Sequence, residues 1–310
     1  MKLSVVATLY HSAPHISEFC QRATTAARQL AGDDYEIVLV NDGSPDDSLA
    51  ISLEIASKDE HLLIVDLSRN FGHHKAMMTG LQHSCGDQVF LIDSDLEEEP
   101  EWVLPFSDQM KRDNSDVVYG VQNQRKGNFF ERWTGQVFYR IFRFLTKLSL
   151  PDNVVVARLM SRRYVNALIL HGEHEIFMAG LWVITGFSQS TQIIKKHSTS
   201  KTSYSLRKKV SQLVNAITSF SSAPLVNIFF VGCVIFIMST SYTTFLVVNW
   251  LFLARPPGGY TSLMASVWLL GGMIIAFVGI IGIYLSKIYS ETKQRPYTIV
   301  RRVFRKTING

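Results

Sequence analysis

The chain is poor in cysteine, in charge along its second half, and in glycine-rich loops. Its three cysteines in 310 residues, Cys20, Cys85 and Cys233, are too few and too scattered for a disulfide framework or a cysteine zinc site. They fit a reducing compartment. Only 18% of residues are charged, and no charged side chain occurs from Val210 to Ala254 or from Pro256 to Ser286. That argues against a disordered or wholly soluble chain. No Rossmann or P-loop glycine pattern is present. No zinc-finger, helix-turn-helix or RNA-binding signature accompanies the basic residues, so nucleic acid is not expected as a partner. His171-Gly-Glu-His174-Glu175 lacks the His-Glu-x-x-His spacing of zinc proteases. After Lys2, the apolar run Leu3–Leu9 is too short for a signal peptide and leads into no cleavage pattern. It reads as a first strand.

What is present divides the chain in two. Residues 1–101 hold 18 acidic and 6 basic side chains, whereas residues 102–310 hold 8 acidic and 25 basic. An acidic half suits a cation, and a basic half suits anionic lipid or phosphate. Leu225–Leu253 and Leu263–Leu285 are almost continuously apolar, and each exceeds the ~20 residues a helix needs to cross the hydrocarbon. The link Arg255-Pro-Pro-Gly-Gly-Tyr-Thr261 is a turn-rich hairpin. Lys195, Lys196, Lys201, Arg207, Lys208 and Lys209 precede the first span; Lys287, Lys293, Arg295, Arg301, Arg302, Arg305 and Lys306 follow the second. The positive-inside rule places both termini in the cytoplasm, at an inner or plasma membrane crossed twice. Basic amphipathic patterns over Phe129–Leu148 and Tyr204–Ser222 predict helices lying in the headgroup plane.

From Met1 to about Tyr119, strand and helix patterns alternate. Strands are expected at Leu3–Leu9, Glu36–Val40, Leu62–Leu67, Gln88–Ile92 and Val117–Tyr119. Helices are expected at Ile16–Leu30, Ser44–Ser57 and Lys75–His83. That order predicts an α/β, doubly wound, mostly parallel sheet with its ligand site beyond the carboxyl ends of the strands. Two acidic turns fall there. Asn41-Asp42-Gly43-Ser44 carries a carboxylate out of the second strand, with Ser44 expected to cap the next helix. Asp93-Ser94-Asp95 places two carboxylates one residue apart, an oxygen set suited to Mg²⁺ or Mn²⁺ completed by a diphosphate. The pair His73-His74 points in different directions and reads as a loop near the ligand rather than a metal site.

With these positions in hand, the chain resembles the polyprenyl-phosphate glycosyltransferases. These are inverting family-2 enzymes of the GT-A fold, among them dolichyl-phosphate mannose synthase and bacterial undecaprenyl-phosphate glucosyl- and aminoarabinosyltransferases. The resemblance rests on Ser4-Val-Val…Tyr10, Asn41-Asp-Gly-Ser44, Ser68-Arg-Asn-Phe-Gly72, Gly86-Asp87, Asp93-Ser-Asp-Leu96, Pro100-Glu101 and Phe138-Tyr139. It continues through Arg158-Leu-Met-Ser161, Tyr204-Ser-Leu-Arg-Lys208, Thr218-Ser-Phe-Ser221, Pro224-Leu225 and Tyr289…Glu291…Arg295-Pro296. It implies a GT-A domain over 1–203, including an interface helix at about 129–148. A second interface helix follows at 204–223, then a two-helix transmembrane hairpin at 224–286 and a basic cytoplasmic tail at 287–310.

The resemblance also assigns roles. Thr8, Tyr10, Asp42 and Asp93 would meet the nucleotide sugar, and Arg125, Arg132 and Arg158 the phosphates. Asp93 and Asp95 would bind the metal, with Glu97 as third ligand, and Asp95 counts among the catalytic residues. The implied reaction moves a monosaccharide from a nucleotide sugar, a UDP-sugar by preference, to undecaprenyl or other polyprenyl phosphate for surface-glycan synthesis. Homo-oligomers formed through the membrane helices are part of the same expectation. Several positions depart from the pattern. Asn41 replaces an Asp, Gln122 replaces an Arg, and Val156 stands where relatives carry the Asp proposed as catalytic base. Asp152 is the nearest carboxylate in sequence and the candidate substitute. An acceptor phosphate is already ionised near neutral pH and needs no base. Two rival readings are transfer to a hydroxyl of a lipid-linked saccharide, and a membrane scaffold without turnover.

Overall fold

Three strands are buried along their whole length: β1 (Leu3–Leu9), β2 (Tyr35–Asn41) and β3 (Leu62–Leu67). Continuous Val, Ile and Leu runs are what a strand covered on both faces requires. The covering helices carry the matching stripe. In α1 (Ile16–Ala31) the buried residues Ile16, Phe19, Cys20, Ala23, Ala26 and Ala27 recur every three or four positions, so they fall on one face. The helix stops at Gly32, whose φ of 65° is a backbone state a side chain resists. The computed structural model describes residues 1–122, 140, 143–146, 153–173, 176–196, 214, 217–252 and 259–306. Most of the interface-helix expectation, 129–148 and 204–223, lies outside them.

The chain continues through α2 (Ser48–Lys58), α3 (His73–His83), β4 (Gln88–Leu91), a 3-10 turn at Pro100–Trp102 and α4 (Val103–Asp113). Then come β5 (Val117–Gln122), β6 (Val154–Ser161), α5 (Arg162–Leu168), α6 (Met178–Ile184) and β7 (Gln189–Ile194). The described strands form an eight-stranded sheet in the order β7-β5-β6-β4-β1-β2-β3-β8, where β8 is Val300–Arg305. β4, β1, β2 and β3 run parallel, as do β5 and β7. β6 enters antiparallel between β4 and β5, and β8 closes the far edge antiparallel to β3. The architecture is the expected α/β, GT-A-like, mostly parallel sheet followed by two long apolar helices. Neither antiparallel insertion is legible in the alternating pattern.

Register decides where the site falls. Leu9 lies opposite Asn41, and Val6 opposite Leu91, while the Ile92 N–H donates to Val6 O at 3.0 Å. The residues after β1, β2 and β4 therefore emerge together at one sheet edge. Beneath them the core includes Phe90 and Phe106 in edge-to-face contact, with ring centroids 6.0 Å apart.

The chain divides into two units. One is built from Met1–Tyr139, Leu148–Tyr204 and Arg295–Gly310, and the other from Arg140–Lys147 and Ser205–Gln294. The second unit holds α7 (Ala223–Phe252, 30 residues) and α8 (Tyr260–Thr292, 33 residues). At ~1.5 Å per residue each exceeds the ~30 Å hydrocarbon thickness. Their apolar stretches Ala223–Tyr242 and Leu269–Thr292 are not covered by protein. Phe229, Phe230, Ile237, Ile274 and Ile275 stand exposed. Side chains of this kind, so long and so apolar a surface, point to membrane association. The basic tail after α8 returns to the first unit as β8.

Candidate active site

The carboxyl ends of β1, β2 and β4 gather a set of polar groups. Thr8, next to last in β1, bonds through Oγ1 to His73 Nδ1 at 3.0 Å. His73 opens α3, and its Nε2 lies 3.3 Å from Asp93 Oδ1. Asp93 Oδ1 is buried and, among the described residues, has no other contact of this kind. Burial alone would lower the His73 pKa, but Asp93, followed by Asp42, raises it. Ser94 Oγ donates to the Thr8 carbonyl at 2.8 Å, which pins the acidic turn to β1.

Within that turn Asp95 Oδ1 accepts from the Glu97 N–H at 3.0 Å, and Leu96 adopts a φ of 58°. A left-handed leucine is uncommon, and the turn holds it there. Asp95 is exposed. Desolvation first, and Asp93 after it, raise its pKa. Glu97 is buried and lies 3.2 Å, through Oε2, from Lys196 Nζ. Glu98 is wholly buried and accepts from the Val156 and Ala157 N–H groups at 3.1 and 2.8 Å. Desolvation and Asp93 push it up to about 7.

Metal fit is a question of free oxygen lone pairs. Asp93 Oδ1 is an orphaned buried acceptor beside the exposed Asp95 carboxylate, and hard oxygen donors suit Mg²⁺ or Mn²⁺. These two residues fit a divalent cation. Glu97 does not join them. It is engaged by Lys196, and among the described residues no three His, Cys, Asp or Glu side chains gather as a ligand set.

Asp42 is placed differently from the expectation that it points into the crevice. It is 2% exposed and accepts from the Phe71 and Gly72 N–H groups at 2.7 and 3.0 Å. Burial raises its pKa against those bonds. Its role here is to hold the β3–α3 loop at the site. Gly43, with a φ of 59°, lets the two loops approach, since a Cβ there would lie 2.5 Å from Arg69 C and Asn70 N. Ser44 caps no helix: it accepts from the His11 N–H and donates to Asp46, while α2 begins at Ser48. The departure at Asn41 has a local cause. Its Nδ2 donates to Asp66 Oδ1 at 2.8 Å, a bond that an ionised Asp could not make.

Tyr10 stands 49% exposed just past β1, on the edge where the other groups emerge. Arg158 is a correction to the expected phosphate ligand. It is 1% exposed, lies over the Trp182 ring, and donates only to the Val156 and Val155 carbonyls. Desolvation pulls its pKa down to about 9. An interior guanidinium stacked on an indole cannot meet a substrate phosphate. Arg125, Arg132 and Asp152 lie outside the described residues. Lys196 and the His73 bridge were not singled out by sequence. Lys196 stood only as one flanking charge before the first span, because nothing in its spacing ties it to a turn so far upstream.

The chain matches the family described as Glycosyl transferase family 2 over residues 4–169. It belongs to that family. The family-2 match spans β1 through α5 and includes Asp42, Asp93, Asp95 and Glu98. Similarity extends further than the match. A Mycobacterium tuberculosis protein described among glycosyltransferases is 44% identical, with 98% of this chain and 89% of that one covered. The SfII prophage-derived bactoprenol glucosyl transferase of Shigella flexneri is 30% identical, covering 98% and 99%. Among solved structures, glucosyl-3-phosphoglycerate synthase from Mycobacterium tuberculosis is 20% identical, with 72% and 81% covered and a TM-score of 0.48.

Proposed function

We propose that this family-2 glycosyltransferase moves one monosaccharide from a nucleotide sugar, a UDP-sugar by preference, to polyprenyl phosphate at the cytoplasmic face of a membrane. The observation that carries this reading is the end-to-end similarity, apolar helices included, to bactoprenol glucosyl transferases. Asp93 and Asp95 would hold Mg²⁺ or Mn²⁺, which supplies Lewis-acid charge to the departing diphosphate. The protein's own contribution is positioning. Asp42 fixes the Phe71–Gly72 loop, Ser94 ties the acidic turn to Thr8, and His73 bridges Thr8 and Asp93. A site held this rigidly needs little reorganisation as charge develops.

Val156 favours phosphate over hydroxyl as acceptor. Its side chain offers no proton acceptor, and the adjacent Glu98 is sealed and occupied by main-chain N–H groups. A phosphate monoester with a second pKa near ~6 arrives largely ionised and can attack without a base. The two helices would keep the site near the lipid headgroups, with both termini cytoplasmic.

The test is a transfer assay with full-length protein in detergent, undecaprenyl phosphate, Mg²⁺ or Mn²⁺ and a panel of nucleotide sugars, with products read by mass spectrometry. The expected product is a lipid whose added mass is one hexosyl group on phosphate, made only with metal. Product on a saccharide hydroxyl, and none on phosphate, would overturn the reading. Val156→Asp sharpens it: the rate with a phosphate acceptor should not rise, whereas a hydroxyl acceptor would gain a base.

A further inference from the structure

Asp93, Asp95, Glu97 and Glu98 concentrate four carboxyl groups in one turn, and among the described residues one lysine reaches them from elsewhere in the chain. Lys196 lies two residues past β7 (Gln189–Ile194). Its side chain is 20% exposed, with Nζ 3.2 Å from Glu97 Oε2 and 3.6 Å from Glu98 Oε1. Burial works to lower its pKa, but Glu98, Asp93, Asp95 and Glu97 raise it, so the ammonium is charged and sits in the field of the whole turn. Glu98 already accepts from two main-chain N–H groups and does not depend on this partner. An ammonium has three N–H groups, and the two carboxylates take at most two. The arrangement leaves a partly open, desolvated cation beside Asp93 and Asp95, where a diphosphate would approach.

We infer that Lys196 is a donor-binding residue, with Glu97 as its resting partner and the β-phosphate of the nucleotide sugar as its working partner. The inference rests on the reading of this edge as the donor site. During transfer, the bond between the anomeric carbon and the β-phosphate oxygen breaks, with its electron pair remaining on that oxygen. An acceptor phosphate oxygen supplies the pair for the new bond to carbon. Lys196 keeps its proton throughout and offsets the charge gained by the leaving diphosphate. A positive group fixed where charge grows lowers the barrier without cost of reorganisation.

Binding separates this role from a structural one. Isothermal titration with full-length protein in detergent at fixed Mg²⁺ would compare UDP with UMP, and GDP with GMP. The variants are Lys196→Met, Lys196→Gln and Lys196→Arg, each checked by thermal unfolding. The wild type should prefer the diphosphate. Lys196→Met, or Lys196→Gln if the former does not fold, should weaken diphosphate binding at least tenfold and monophosphate binding less than twofold. Lys196→Arg should recover most of the preference. Equal losses for diphosphate and monophosphate would show that Lys196 only neutralises the acidic turn, and would overturn the inference. An unchanged preference in Lys196→Met and Lys196→Gln overturns it as well. A wild type that binds none of the four nucleotides would sink the donor-site reading, and the inference with it.

Discussion

The two ends of the sheet each carry a fully buried glutamate held by hydrogen bonds, yet their surroundings differ. At the amino end, Glu36 accepts from Ser4 Oγ and the Cys85 N–H, both at 2.6 Å, and the Gly86 N–H donates to Ser4 at 2.7 Å. That network ties β1, β2 and the turn before β4 together. At the carboxyl end, Glu98 holds the start of β6 in the same manner. Next to it stand Asp93, with a buried oxygen lacking a hydrogen bond, and the exposed Asp95. Burial of an acid is therefore no mark of function in this fold. Nor is a bare oxygen by itself, since Glu36 Oε2 also lacks a hydrogen bond; the mark is such an oxygen, on Asp93, next to an exposed carboxylate, Asp95.

Breaking each end should give opposite phenotypes. The largest effect is expected from Asp95→Asn, which should lower transfer by about 10²–10³-fold, the scale for removing one charge-stabilising group. Thermal unfolding should scarcely move, and a large fall in Tm would instead class Asp95 with the structural acids. Glu36→Ala should do the reverse. It strands the Ser4 hydroxyl in the interior and should cost about 1–3 kcal/mol by urea denaturation, the scale for one buried group left unpaired. The folded fraction should keep its turnover.

Asp46 sharpens the contrast, since it lies at the catalytic end but does structural work. It accepts from the Ala13 N–H, Ser44 and Ser48. Desolvation opposes ionisation, yet these bonds win and hold its pKa below the ordinary aspartate value. A depressed acid stabilises the folded state above the unfolded-state pKa near ~3.9, and that contribution fades as pH falls towards the folded value. Asp46→Asn should therefore cost about 1 kcal/mol at pH 7 and progressively less below pH ~4. A pH-independent difference between the two proteins would contradict the assignment.

Much of the first unit is legible from pattern because its strands are covered on both faces and its helices on one. Leu3–Leu9 and Leu62–Leu67 are predicted at their observed bounds, and α1 within one residue. The Asp93–Asp95 turn is legible for a related reason: it follows a recognisable strand. What escapes is whatever depends on distant pairing. β6 and β8 are set by partners far away in sequence, and β8, with Arg301, Arg302 and Arg305 in its six residues, reads as a solvated tail. Lys196 escapes in the same way. Arg158 misleads for the opposite reason, since a guanidinium beside a strand motif reads as a phosphate ligand until the Trp182 ring beneath it is seen.

The return of the chain into the sheet also orders its assembly. β8 pairs with β3 from Leu63 to Leu67. Arg301 reaches the Ser68 carbonyl at 2.7 Å, and Thr298 Oγ1 lies 2.8 Å from Thr79 Oγ1. Both apolar helices are translated before this strand. Until then β3 is an open edge of main-chain donors and acceptors, the kind of edge on which sheets aggregate. The sheet thus completes its edge only after both apolar helices have been synthesised, and a chain that stalls before β8 keeps its adhesive edge.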